Sequence, residues 1–95
     1  MGTLHQRICD LVRDGRYVVG QHASERLEER GFLEWQVVAG LEDAELLAEH
    51  SEGVPNPTIE VIELLPDGTE FKAVWSYLRQ SRAAKLVTVH FFDEN

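Results

Sequence analysis

The chain has 95 residues and a formal net charge of −8, from 17 acidic against 9 basic side chains. It is sized for one domain, and its overall field argues against a protein that grips nucleic acid through net charge. Hydrophobic residues make up 43% and charged residues 27%, which excludes a disordered or fibrous chain and predicts a folded core.

In chain order, Leu4, Ile8, Leu11 and Val12 recur at helical spacing, with Thr3 and Gln6 placed as a capping box and Gly15 as a stop. Cys9, the sole cysteine, falls within this helix and reads as a small packed residue. Neither an intramolecular disulfide nor a multi-cysteine zinc site is open to the chain. Tyr17-Val18-Val19, bounded by Gly15 and Gly20, predicts a short strand. His22 to Arg30 is rich in helix formers and ends at Gly31, suited to a left-handed cap. Phe32, Trp35, Val38 and Leu41 then repeat in steps of three and predict a third, short helix with this face inward. Trp35 and Trp75 both read as core aromatics.

Ala44 to His50 fits a strand or a helix extension, and Ser51 to Pro57 is a loop by its glycine and two prolines. Thr58 to Leu65, the turn Pro66-Asp67-Gly68, and Phe71 to Leu78 form the clearest hairpin. After a polar connection from Arg79 to Arg82, Leu86 to Phe92 is a last strand. Strict alternation there puts His90 on one face with Leu86, Thr88 and Phe92, and Val87, Val89 and Phe91 on the other. The order predicts an α+β fold in which N-terminal helices pack on one face of a small twisted antiparallel sheet.

No apolar run approaches the ~20 residues that span a bilayer, the first residues lack a signal-peptide pattern, and a cytoplasmic location is expected. Phosphate-binding loop, dinucleotide fingerprint, His-Glu-x-x-His and nucleophile elbow are all missing. His5, His22, His50 and His90 lack paired spacing on one element, so no metal site and no cofactor is expected.

His22, Arg26 and Arg30 lie four residues apart and form one stripe on a helix, drifting by roughly 40° per step. Like charges at this spacing oppose each other, so the stripe calls for an anion. One choice is internal, a carboxylate such as Glu25, Glu29 or one from the middle of the chain. The other is a ligand phosphate, because guanidinium forks match its oxygens and an imidazole can move protons.

The run from His22 to Gly31, the small helix to Leu41 and the strands ending Val87-Thr88-Val89-His90-Phe91-Phe92-Asp93 resemble domain of unknown function family 4258. That family is typified by a His-Ala-x-x-Arg-x-x-x-Arg-Gly stretch and is distantly similar to RelE/BrnT-like ribonuclease toxins. The likeness covers roughly residues 17 to 93. It implies a RelE-like α+β fold and, by analogy, metal-independent RNA cleavage by the toxin half of a bacterial toxin–antitoxin pair. His22 and His90 would then be the catalytic residues, either one as base or acid, with Arg26, Arg30 and Lys72 on the substrate phosphate. Lys72 stands where members often place a histidine, His90 where an aromatic hydroxyl is common, and Phe92 where proline is frequent.

A small antitoxin-like protein and RNA are the partners this reading implies. The alternative is a non-catalytic interaction domain that offers an acidic surface or a sheet edge to a basic protein. Homodimer formation through edge strands fits either reading. Residues 1–33 carry five basic and five acidic side chains, residues 34–71 carry ten acidic and no basic ones, and residues 72–95 carry four basic and two acidic ones. All the excess acidity lies in the middle, so a local basic face survives if that middle segment does not fold over it.

Overall fold

The computed structural model describes residues 3–92. The chain forms α1 (Thr3–Arg13), β1 (Tyr17–Val19), α2 (Gln21–Arg30) and α3 (Glu34–Gly40), then a 3-10 turn (Leu41–Asp43). Four strands follow: β2 (Glu45–His50), β3 (Thr58–Leu64), β4 (Glu70–Leu78) and β5 (Ala83–Phe91). They make one five-stranded sheet in the order β1-β5-β4-β3-β2. The fold class is α+β, as expected. β2 to β5 pair antiparallel, while β1 joins parallel to β5, so the sheet is mixed.

Local chemistry explains most boundaries. α2 ends where Gly31 takes φ 73, and its N–H and that of Phe32 return to the Glu28 and Leu27 carbonyls. That left-handed close is nearly free for glycine and costs other residues strain. The β3–β4 turn is held by Gly68 N–H to Leu65 O at 2.9 Å and by Thr69 N–H to Asp67 Oδ1 at 2.9 Å. Ala44 to His50 resolves as strand, because Leu46 to His50 find partners on β3.

The expected capping box at α1 is replaced. Gln6 reaches forward to Asp10 at 2.9 Å, and Glu49 on β2 accepts the His5 backbone N–H at 2.9 Å. A carboxylate from a distant strand thus serves a helix end that needs an acceptor.

The helices lie on one face of the sheet. Ile8, Cys9 and Val12 from α1, Ala23 and Leu27 from α2, and Val37 from α3 meet Ile59, Val61, Phe71, Ala73, Trp75, Leu86 and Val89 in one cluster. Each fully buried aliphatic or Phe side chain contributes roughly 1.5–3 kcal/mol against exposure. Phe32, just past α2, wedges against Phe71 and Phe91, with centroids 4.7 and 5.1 Å apart. Cys9 is buried and burial pushes its thiol pKa up, which fits packing and not reactivity.

Two expectations fail here. Trp75 is fully buried, but Trp35 is 65% exposed; on α3 the inward positions are Val37 and, beyond it, Leu41. A three-residue repeat drifts around a 3.6-residue helix, so Trp35 leaves the face that Val37 occupies. The second failure is the face of His90, which a bulge reverses. Val74 pairs with Thr88 but Trp75 pairs with Leu86, so Val87 is an extra residue in β5. Beyond it the alternation is inverted, and Val89 and Phe91 take the core face with Leu86.

Candidate functional site

The inversion puts Thr88 and His90 on the face opposite the helices. There His90 lies directly across from Lys72, and Lys72 from Ile62 on the next strand. Glu60, two residues before Ile62, shares that face and reaches Lys72, with Nζ to Oε1 at 3.3 Å. His50 on the outer strand completes the row, its Nε2 2.7 Å from Glu60 Oε2. One polar band, His50–Glu60–Lys72 and then His90, therefore crosses four strands.

α2 closes the other end. β1 covers the rim of β5 only up to Leu86, and α2 runs along the rest. Arg26 Nε donates to Val89 O at 3.2 Å, and Arg26 Nη2 lies 3.3 Å from His90 Nδ1. The guanidinium thereby satisfies a carbonyl of the strand that has no strand partner there.

Proton positions follow from donor chemistry. A guanidinium only donates, so His90 Nδ1 accepts from Arg26 and the ring proton of that tautomer sits on Nε2. A carboxylate only accepts when ionised, so His50 Nε2 carries its proton toward Glu60, and Nδ1 is the nitrogen that exchanges one. The bond from His50 holds the Glu60 carboxyl below its ordinary pKa, with Lys72 adding to the effect and partial burial opposing it. Glu60 is thus an ionised carboxylate between a histidine and a lysine. Thr88 Oγ1, on the same face, is buried and has no hydrogen-bond partner among the described residues.

Of the sequence-predicted residues, Arg26, Lys72 and His90 come together. His22 and Arg30 are exposed on α2, one turn before and one turn after Arg26. Among the described residues no direct hydrogen bond joins His22 to His90 or Lys72. Asp93, the end of the quoted motif, lies outside the described residues. For Lys72 the anion is internal, Glu60, from the acidic middle of the chain. His50 and Glu60 escaped the sequence reading. Glu60 carried one usable signal, an acid alternating with apolar residues in a strand; His50 carried none, because its place depends on how β2 pairs.

A second carboxyl sits on the helix side of the same strand. Glu63 is 2% exposed, and burial raises its pKa to about 8, against which the nearby Trp75 indole acts only weakly. Neither Glu63 oxygen nor Trp75 Nε1 completes a hydrogen bond among the described residues. A Cβ on Gly40 would stand 2.7 Å from Glu63 Oε1, so glycine is what lets α3 lie over this carboxyl.

Among the described residues no three His, Cys, Asp or Glu side chains are grouped to hold a metal ion, and no helix is long and apolar enough to cross a membrane. No curated protein and no solved structure matches the chain. A family model does match residues 19–91, a span that holds α2, the whole polar band and Glu63. The chain therefore belongs to the domain of unknown function family DUF4258.

Proposed function

We propose that this domain cleaves RNA without a metal ion, through the polar band on the open face of its sheet. The observation that carries this reading is the pair His90 and Lys72, in cross-strand register with Arg26 on the His90 ring. A cation that can hold a phosphate then stands beside an imidazole whose Nε2 bears a proton.

The chemistry assigns one role to each group. Lys72 and Arg26 hold the scissile phosphate and offset the charge that builds on it in the transition state. Glu60, held ionised by His50 and Lys72, takes the proton of the ribose 2′-hydroxyl as the 2′-oxygen bonds to phosphorus. The bond from phosphorus to the 5′-oxygen breaks, and His90 Nε2–H gives its proton to that leaving oxygen. The products are a 2′,3′-cyclic phosphate and a 5′-hydroxyl end. His22 and Arg30 extend the cationic edge on α2 toward the flanking phosphates. The distant similarity of the family to ribonuclease toxins supports this reading, and a toxin role with a small neutralising protein goes with it.

Purified protein incubated with a short RNA in the presence of a chelator tests the proposal. Cleavage with cyclic phosphate ends is expected, and His90→Ala should lower the rate by about 10²–10⁴-fold. Intact RNA under all conditions, or equal cleavage by His90→Ala, refutes it. In a bacterium, expression should arrest growth, and replacing His22, Arg26 and Arg30 together by alanine should relieve the arrest.

One observation favours a second reading, a non-catalytic domain that binds a basic protein. β2 lies at the edge of the sheet and exposes Leu47 between Glu45 and Glu49, within the stretch that has no basic residue. A domain of this kind binds no RNA even at low salt, so a salt-sensitive RNA complex eliminates it.

A further inference from the structure

At the end of the sheet away from His90, the first turns of α1, the loop before β3 and the end of β4 enclose a cleft of about 260 Å3. Its walls include Thr3, Arg7, Ser51, Pro57, Tyr77 and Arg79. On a chain of net charge −8 this lining has two guanidiniums and no carboxylate. Both arginines are held in place by uncharged groups. Arg7 lies over the Tyr77 ring, 5.4 Å from its centroid, and Arg79 Nη1 donates to Pro55 O at 2.9 Å. A further bond, from the Arg79 backbone N–H to Asn56 Oδ1 at 3.1 Å, fixes the chain there.

The contrast with Arg13 and Lys72 is chemical; Arg16, Arg82 and Lys85 share the lack of a carboxylate partner among the described residues but do not line the cleft. Arg13 is paired to Asp10 and Glu42, and Lys72 to Glu60, but among the described residues no carboxylate pairs with Arg7 or Arg79. The Thr3, Ser51 and Tyr77 hydroxyls in the same walls likewise have no hydrogen-bond partner among the described residues. Donors that line one cleft and have no carboxylate of their own call for an anion with several oxygens, and guanidinium forks fit a phosphate. The Tyr77 ring and Pro57 add an apolar wall, and the volume lies just below the usual ligand-pocket range, which suits a small ligand.

We propose that this cleft binds a small phosphomonoester, its phosphate between Arg7 and Arg79 and its organic part against Tyr77 and Pro57. The site is separate from the polar band. Thr3 and Arg7 also precede residue 19, where the family match begins, so part of its wall comes from α1, outside the match.

The test is titration of the full chain with phenyl phosphate, followed by calorimetry and by amide shifts in an NMR spectrum. Saturable binding that moves the Ser51, Tyr77 and Arg79 signals is expected. Arg7→Ala and Arg79→Ala should each weaken it by about tenfold. Arg13→Ala, the same charge change on the same helix, should leave it within about twofold, because screened charges away from the cleft contribute little. Inorganic phosphate should move the same signals with lower affinity. Equal loss in Arg13→Ala would mean a net-charge effect and overturn the proposal. So would benzoate binding as tightly as phenyl phosphate, or the absence of saturable binding at millimolar phenyl phosphate.

Discussion

Glu60 and Glu63 sit three residues apart on one strand and live in opposite chemical states. Glu60, on the open face, accepts from His50 and Lys72 and stays ionised. Glu63, on the helix face, is enclosed by α3 and the core, and its pKa rises to about 8. The odd separation puts them on opposite faces of the pleat, and the face decides the charge. The same residue type is part of a polar band in one place and a neutral, buried hydrogen carrier in the other. What separates them is desolvation against partnership, two influences that act in opposite directions on one carboxyl.

The largest expected effect breaks the open-face side at its cation. Lys72→Ala removes the charge that bridges Glu60 and the His90 strand, and RNA cleavage should fall by about 10²–10³-fold, with the fold intact by circular dichroism. A rate near wild type would remove Lys72 from the site.

Glu63→Gln attacks the helix side. In the unfolded chain a glutamate titrates near ~4.3, while in the folded protein Glu63 titrates near 8. The folded state therefore favours the protonated form. The stability this group allows is fully present below about pH 4.3 and is lost as pH rises through 8. An isosteric neutral side chain should stabilise the protein by roughly 2–4 kcal/mol at pH 7, more at pH 9, and hardly at all near pH 4. Urea unfolding at the three pH values measures this, and parallel curves for the two proteins would show Glu63 ionised and solvated.

Glu60→Gln should do the reverse at small scale. The lowered pKa means its stabilising contribution is present above the ordinary carboxylate range and fades as pH falls through the lowered value. Because both ion-pair partners are partly exposed, the loss of stability should be under about 1 kcal/mol. Its sharper readout is RNA affinity, which should rise when Lys72 is released, by up to about tenfold at low salt. Smallest of all, Trp35→Ala should shift stability by under about 0.5 kcal/mol, since this tryptophan is largely exposed. A large loss there would show that Trp35 packs against something on the helix side after all.

The readable part of the candidate site was the α2 stripe, because helix formers between Gly20 and Gly31 and a fixed four-residue spacing need only local geometry. Arg26 was thereby placed on the same line as His22 and Arg30, and Lys72 and His90 were marked as chemically capable strand residues. That Arg26 alone of the stripe bonds to β5 depends on α2 running along a rim that β1 leaves bare. The His50–Glu60 pair was hidden for a similar reason: it depends on the pairing of β2 with β3, including a register shift between Leu46 and Ala48.

By itself, then, the sequence determined the element order outside Ala44 to His50, the Thr58 to Leu78 hairpin, the left-handed close at Gly31 and the α+β class. Each follows from periodicity or turn chemistry within a few residues. The tertiary structure decided the parallel docking of β1, the exposure of Trp35, the burial of Glu63 and the face of His90. The last of these depends on one extra residue, Val87, whose insertion inverts every side chain after it. Period-two alternation has no memory of where a bulge falls, and only the partner strand fixes that position.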